Sequence, residues 1–257
     1  RQEEGVPDIK TPLIEPKVPW DAGGIMSHGT VLIDPIDGLW KAWQVSTPAE
    51  GELAGGIKSF HEEQRRVTYL ESKDGVSWYR PELDIIKWPG YQRTNILFDL
   101  NSGGTAVYPS VLIDTTNKEW PYEMFLIRNP FLGPASTHVG HLPAPSPEKR
   151  GLYRYRSKDG KHWDLIAGPL SDLGRGGDVI YIYREPDGSY MAYFKQYSLE
   201  PGDRIIPYDN NKQQLVRRIG RNTSTDGNNW SPRKIIFGRD FRDAGFAQYL
   251  ELCPVRV

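Results

Sequence analysis

The sequence predicts an all-β fold, a β-propeller of four-stranded antiparallel blades, with this chain covering about three blades and the start of a fourth. Three observations predict it. A seven-residue signature, Ser-x-Asp-Gly-x-x-Trp, occurs at residues 72–78, 157–163 and 224–230. Each copy sits between strand-like segments in the same order. The composition also favours strands and turns. The 257 residues include 26 Gly, 21 Pro, 8 Trp, 14 Tyr and 8 Phe; aromatics suit strands, and Gly and Pro punctuate turns.

The signature reads as a tight hairpin. Asp-Gly supplies the turn, because the Asp carboxylate bonds nearby amides and Gly accepts positive φ. The Ser hydroxyl can bond the same turn, and the Trp can pack over it. These residues are scaffold, not catalysts. A strand leads into each hairpin at 66–70, 152–156 and 217–221, and another leaves it at 78–80, 163–166 and 233–236. A further strand pair lies upstream of each. Its first members are 29–33, 110–113 and 179–183, and its second members are 40–43, 123–127 and 190–194. Turn-rich links join them at 34–38, 114–117 and 185–188.

Naming these strands A to D places blade one at about 26–85, blade two at about 95–170 and blade three at about 176–238. A fourth A strand begins in Gln248-Tyr249-Leu250-Glu251-Leu252. Blade four therefore starts within about 246–257, and the propeller is expected to continue past Val257. Repetition of such units is the sequence picture of a propeller. A different all-β sandwich is the competing architecture.

Blade topology sorts the connections. The A–B and C–D turns are short and emerge on one face. The B–C connections (44–65, 129–150, 196–216) and the D–A connections (82–106, 168–177, 237–246) emerge on the other. Long connections concentrate function. A ligand site is therefore expected on that face, at the axis lined by the A strands.

Candidate residues follow from this placement. Asp178 follows Gly176-Gly177 and immediately precedes an apolar strand, which makes it the first catalytic candidate. Glu251 is its partner acid. His28, at the start of blade one's A strand, is a base or a sugar hydrogen-bonder, with a structural role as the alternative. Asp243 lies in Arg239-Asp240-Phe241-Arg242-Asp243, for which a surface ion-pair cluster is the alternative. Arg93, Asn95, Tyr108, Arg128, Lys195, Arg242 and Tyr249 are the substrate-binding candidates. A rim of carboxylates, arginines, amides and aromatics suits a sugar. Rings stack on aromatics, hydroxyls take paired polar partners, and two carboxylates can divide acid and base work.

Composition removes other classes. Lys and Arg total 32 against 33 Asp and Glu, a net charge of −1, so nothing marks a nucleic-acid or anionic-membrane partner. Cys253 is the single cysteine, which excludes an internal disulfide framework and Cys-rich zinc sites. No apolar run approaches the roughly 20 residues that span a bilayer. No cofactor or metal is expected; His138 and His141 sit in a Pro-rich loop and read as solvent-exposed. The chain starts with Arg1 rather than Met, which reads as a processed or truncated N-terminus, and a secreted or periplasmic location is expected.

Several short motifs carry a family resemblance. They are Val31-Leu32-Ile33-Asp34-Pro35 with Gly38-Leu39-Trp40, the repeated hairpin, and Arg93-Thr94-Asn95-Ile96-Leu97. Together they resemble the five-bladed β-propeller glycoside hydrolases of families 32, 43, 68 and 117. The hairpin is also similar to the sialidase Asp-box, one residue shorter. The first resemblance implies five blades when the propeller is complete, and three acidic residues near the axis acting as nucleophile or base, transition-state stabiliser and general acid. Phe241-Arg242-Asp243 is similar to the Arg-Asp-Pro motif of family 32 with Ala244 in place of Pro, and Glu251-Leu252-Cys253-Pro254 to its Glu-Cys motif with one insertion. Tyr108 stands where blade two would supply an acid, and Asp34 falls in a turn. The expected activity is hydrolysis of a poly- or oligosaccharide. The alternatives are a non-catalytic carbohydrate-binding propeller and a sialidase-like hydrolase holding an acidic sugar with arginines.

Overall fold

A computed structural model describes residues 13–48, 65–99, 105–129, 151–170, 180–198 and 216–238. Those residues form thirteen strands in three antiparallel sheets, with no helix among them. Blade one runs β1 (Gly24–Ile33), β2 (Trp40–Thr47), β3 (Arg66–Ser72) and β4 (Trp78–Tyr79), with β5 (Ile96–Phe98) added on β3. Blade two runs β6 (Thr105–Ile113), β7 (Tyr122–Asn129), β8 (Gly151–Ser157) and β9 (Trp163–Leu170). Blade three runs β10 (Ile180–Arg184), β11 (Tyr190–Ser198), β12 (Val216–Ser224) and β13 (Lys234–Phe237). This is a β-propeller architecture, and the four-strand unit falls where the repeat puts it. The segment assigned to a fourth blade lies outside the described residues.

Blade one departs from the expected plan in its outermost strand. Residues 82–106 read as a connection, yet Ile96, Leu97 and Phe98 form a strand and are buried. The reason is geometric. β4 is two residues long and pairs with only Glu71 and Ser72, so the far half of β3 has an open edge. β5 closes it by pairing with Val67 and Thr68.

Strand alternation builds the core between blades. Successive side chains of a strand face opposite ways. In β7, Tyr122, Met124 and Leu126 join the cluster packed against Trp43, Val67 and Tyr69 of blade one. Phe125 and Ile127 join the cluster packed against Ile180, Ile182 and Phe194 of blade three. Blade two is thus apolar on both faces. Burying each of these large side chains contributes roughly 1.5–3 kcal/mol.

Two hydroxyls register neighbouring blades along their innermost strands. Thr30 Oγ1 donates to the Pro109 carbonyl and accepts from the Val111 amide, each at 2.9 Å. Ser110 Oγ accepts from the Ile182 amide at 2.9 Å and donates to the Ile182 carbonyl at 3.2 Å.

The three hairpins share one hydrogen-bond pattern. The first residue's Oγ accepts from the Gly amide at 2.9 Å in all three copies, and donates to the Asp carboxylate. That carboxylate accepts two further amides, those of Val76 and Ser77, Lys161 and His162, or Asn228 and Asn229. Gly75, Gly160 and Gly227 have φ of 75°, 74° and 75°. The Trp closes its own Gly carbonyl in copies one and three, through Trp78 at 3.0 Å and Trp230 at 3.1 Å. Copy two differs: the Gly160 carbonyl takes Trp43 of blade one at 2.8 Å.

Candidate functional site

The two ends of the blades have different connections. The links at the turn end are short. At the other end, 18 residues separate β2 from β3, 21 separate β7 from β8 and 17 separate β11 from β12. The innermost strands β1, β6 and β10 lie side by side, and their starts point toward this long-connection end.

There, β1 and β6 each break register. The irregularity lies between Met26 and Thr30 in β1 and between Val107 and Ser110 in β6. Such bulges re-aim side chains and recur beside active sites. They bracket His28 and Tyr108, whose rings meet edge-on with centroids 5.4 Å apart. Tyr108 has φ of 58°, the one positive value for a non-glycine among the described residues. A bulky side chain there costs about 1 kcal/mol or more, a strain that clusters at functional sites. The Tyr108 hydroxyl accepts from Arg65 Nη1 at 3.2 Å. His28, Gly29, Tyr108, Pro109, Ile180 and Tyr181 line one cleft, with no room for a water molecule between these six residues.

Toward the same end each blade buries one arginine at the same rung. The pairs six residues from the hairpin are Ser46 with Arg66, Arg128 with Gly151, and Gln196 with Arg218. Arg66, Arg128 and Arg218 are all nearly inaccessible, as is Lys195 one rung away. Arg66 lies 4.7 Å from the Trp88 ring centre. Burial pushes its guanidinium down to about 10, with Asp99 acting the other way, so it remains cationic at neutral pH. Arg128 lies 5.3 Å from the Phe98 ring centre and donates to Tyr155 Oη at 3.2 Å. Burial raises the Tyr155 phenol and Arg128 opposes it.

Sequence reasoning picked out Arg128 and Lys195 but missed Arg66 and Arg218. A signal exists. Arg65-Arg66 and Arg217-Arg218 precede their hairpins by the same distance, so the repeat carries a charged pair at the loop-side start of two C strands.

The remaining candidates separate. Asn95 is buried in blade one, where its Oδ1 accepts from Trp20 Nε1 at 2.7 Å and its Nδ2 donates to the Tyr69 carbonyl at 2.8 Å. It ties the segment before β1 to the blade. Arg93, two residues away, is exposed. Asp178, Glu251, Asp243, Arg242 and Tyr249 lie outside the described residues. Among the described residues, no group of three or more His, Cys, Asp or Glu is placed to hold a metal ion, and no helix is long and apolar enough to cross a membrane.

The described part of the site thus offers an imidazole, a phenol paired with an arginine, and buried cations. Such groups can move a proton and hold oxygen-rich or anionic ligands.

The fold has solved counterparts. A fructofuranosidase from Schwanniomyces occidentalis, solved with fructose, aligns with a TM-score of 0.50 at 11% identity, covering 80% of this chain and 33% of that one. A protein of unknown function from Dyadobacter fermentans DSM 18053 aligns with a TM-score of 0.46 at 16% identity, covering 79% and 52%. A family 117 glycoside hydrolase from Zobellia galactanivorans aligns with a TM-score of 0.46 at 10% identity, covering 79% and 53%. The chain spans between a third and about half the length of these proteins. No protein-family profile and no curated protein matches the sequence. At this identity the likeness to the fructofuranosidase is one of fold, shared with an enzyme that was solved holding a sugar.

Proposed function

We propose that the chain carries the axial site of a glycoside hydrolase acting on a poly- or oligosaccharide. One observation carries the reading. Two successive blades break register to set His28 and strained Tyr108 side by side, at the end where the long connections and the arginine rung lie, so that a saccharide lies over their rings rather than between them. The shared fold with a fructofuranosidase supports it.

In this reading Asp178 and Glu251 divide the work of nucleophile or base and general acid. His28 shuttles or positions a proton, and Asp243 is the reserve carboxylate. Tyr108 holds a sugar hydroxyl, the buried Arg128 and Lys195 act on the site through their charge, and Arg93, Arg242 and Tyr249 complete the outer contacts, whereas Asn95 is engaged within blade one. The location that accompanies this chemistry is secreted or periplasmic.

A glycan-library screen tests the activity, followed by Asp178→Asn and Glu251→Gln on the responsive glycan. Each substitution is expected to remove nearly all turnover while binding persists. Full activity in both variants overturns these roles, and binding without turnover in the parent chain converts the site to a carbohydrate-binding one.

A further inference from the structure

A second cavity lies at the turn end of blades two and three. It has a volume of about 210 Å³, between the β6–β7 link and the β10–β11 hairpin, with β8 and β9 completing its walls. Leu112 and Arg184 line it, whereas Pro109 and Ile180 line the axial cleft. Three and four residues separate these positions, roughly 10–13 Å along a strand. The two sites are distinct.

The charges of this cavity fall into two groups. The first is internally neutralised. Glu123 accepts from Arg154 Nε and from the Tyr190 hydroxyl, the latter at 3.0 Å. Arg154 also donates to the Asp226 carbonyl at 2.7 Å and to Asn228 Oδ1 at 3.0 Å. Asp114 accepts from Arg184 Nη1 at 2.5 Å and from Thr116.

The second group forms no ion pair among the described residues, although Glu123 and Asp164 stand opposite Arg156 on the neighbouring strands. Arg156 lies with its guanidinium carbon 4.1 Å from the Trp120 ring centre. Lys158, which is not part of the cavity lining, reaches its edge through Trp120, with Nζ 4.6 Å from the same centre. Among the described residues neither cation has an ion pair. A ring face holds a cation in place without cancelling its charge. The Trp120 backbone is held in the turn, its amide donating to Asn117 Oδ1 at 3.0 Å.

We propose that this cavity is a second carbohydrate-binding site, taking a pyranose ring that bears an anionic group, a carboxylate or a sulfate ester. Arg156 and Lys158 meet the anion, and a guanidinium fork matches either group. Arg184, already held by Asp114, offers polar contact to ring hydroxyls, and Leu112, Pro121 and Ile166 give the ring an apolar wall. The combination of convergent polar groups with apolar walls is that of a small-ligand site, and its volume suits one ring. A free inorganic anion would use only the cations. The proposal is independent of the glycosidase reading, because it rests on other residues and is read by binding.

The test is calorimetric titration of the full chain, at low ionic strength, with four probes: tri-galacturonate, a sulfated galactan trisaccharide, its neutral counterpart and inorganic sulfate. One of the two charged saccharides is expected to bind, at least about tenfold more tightly than the neutral one, and the arm that binds identifies the anion. Arg156→Gln combined with Lys158→Gln, both at the surface, is expected to weaken that binding by about tenfold or more, and Trp120→Ala to weaken it as well. His28→Ala is expected to leave it unchanged. The proposal is overturned by binding of neither charged saccharide, equal binding of the neutral one, equal binding of inorganic sulfate, or unchanged affinity in the Arg156/Lys158 variant. Loss of binding in His28→Ala assigns the saccharide to the axial cleft and also overturns it.

Discussion

The two ends of the blades solve opposite problems. At the turn end the hairpins are repeated and local: three copies share one Ser-Asp-Gly hydrogen-bond pattern, with three glycines at one φ and carboxylates enclosed by donors. Asp34 adds a link between blades. It is fully buried, accepts from Lys41, Tyr122 and the Ile36 amide, and joins blade one to blade two. Burial pushes its carboxyl up, but Lys41, Tyr122 and the amide outweigh it and hold it below the usual range. At the axial end the repeat is broken. His28 and Tyr108 occupy matching places but differ in chemistry, two strands bulge, and a tyrosine adopts a glycine's backbone conformation. The contrast teaches which end is scaffold. Uniform, satisfied hairpins mark the part of the turn end that only has to fold; irregular, strained chemistry marks the axial end, and cations without an ion pair mark the turn-end cavity, as places under another constraint.

The largest test of that contrast removes Lys41. Lys41→Met leaves Asp34 buried without its cation, and about 3–5 kcal/mol of stability should be lost in urea unfolding. A loss below about 1 kcal/mol would mean that the turn end is not the anchor described. Next come two glycines of the same end. Gly160 has φ of 74°, and a Cβ there would lie 3.1 Å from Trp43 and 3.3 Å from Tyr122. Gly188 has φ of 87° and nothing within 4 Å. Gly160→Ala should therefore cost about 2 kcal/mol, and Gly188→Ala about 1 kcal/mol from backbone strain alone. Equal costs would show that close approach between blades contributes nothing.

At the axial end the expectation reverses, with a small stability effect and a large functional one. Tyr108→Phe keeps the ring and loses the bond from Arg65. It should change stability by about 1 kcal/mol or less, while turnover on the glycan found by screening falls severalfold. A fold-level collapse with this variant would make Tyr108 another scaffold residue.

The smallest effect is a pH dependence. Burial alone would raise the Asp159 carboxyl, but the His162 and Lys161 amides, the His162 ring and the Ser157 hydroxyl bring it down to about 2. In the unfolded chain it titrates near 3.9. A depressed folded value gives stability that is complete above the unfolded pKa and lost as pH falls through about 2. Asp159→Asn should accordingly flatten the fall in urea midpoint between about pH 5 and pH 2, and an unchanged slope would remove the turn from the acid response.

What the sequence makes legible follows the same division. The hairpins are readable because Ser, Asp and Gly act within three residues of one another. The A-strand starts are readable from strand order, which puts His28 and Tyr108 at one end. β5 escapes sequence reading because three apolar residues become a strand only when a distant edge needs covering. The arginine rung escapes because Arg66, Arg128 and Arg218 come from different strands, B in blade two and C in the others. Only pairing reveals that they share a level. Asn95 looks like a ligand residue by composition, but its amide is engaged with Trp20 and Tyr69, a fact that distances alone disclose.

Repeat proteins invite treatment as interchangeable cassettes. The hydroxyls of Thr30 and Ser110 argue otherwise. Each serves as a key cut for the blade that follows, and β10 has no Ser or Thr from Ile180 to Arg184 with which to pass the pattern on in the same way. A shuffled chain with blade three placed ahead of blade two would leave the Pro109 carbonyl and the Val111 amide facing Ile and Tyr side chains. The order of the blades is thus written into their innermost strands, and recombination can exchange the turn-end hairpins more freely than whole blades.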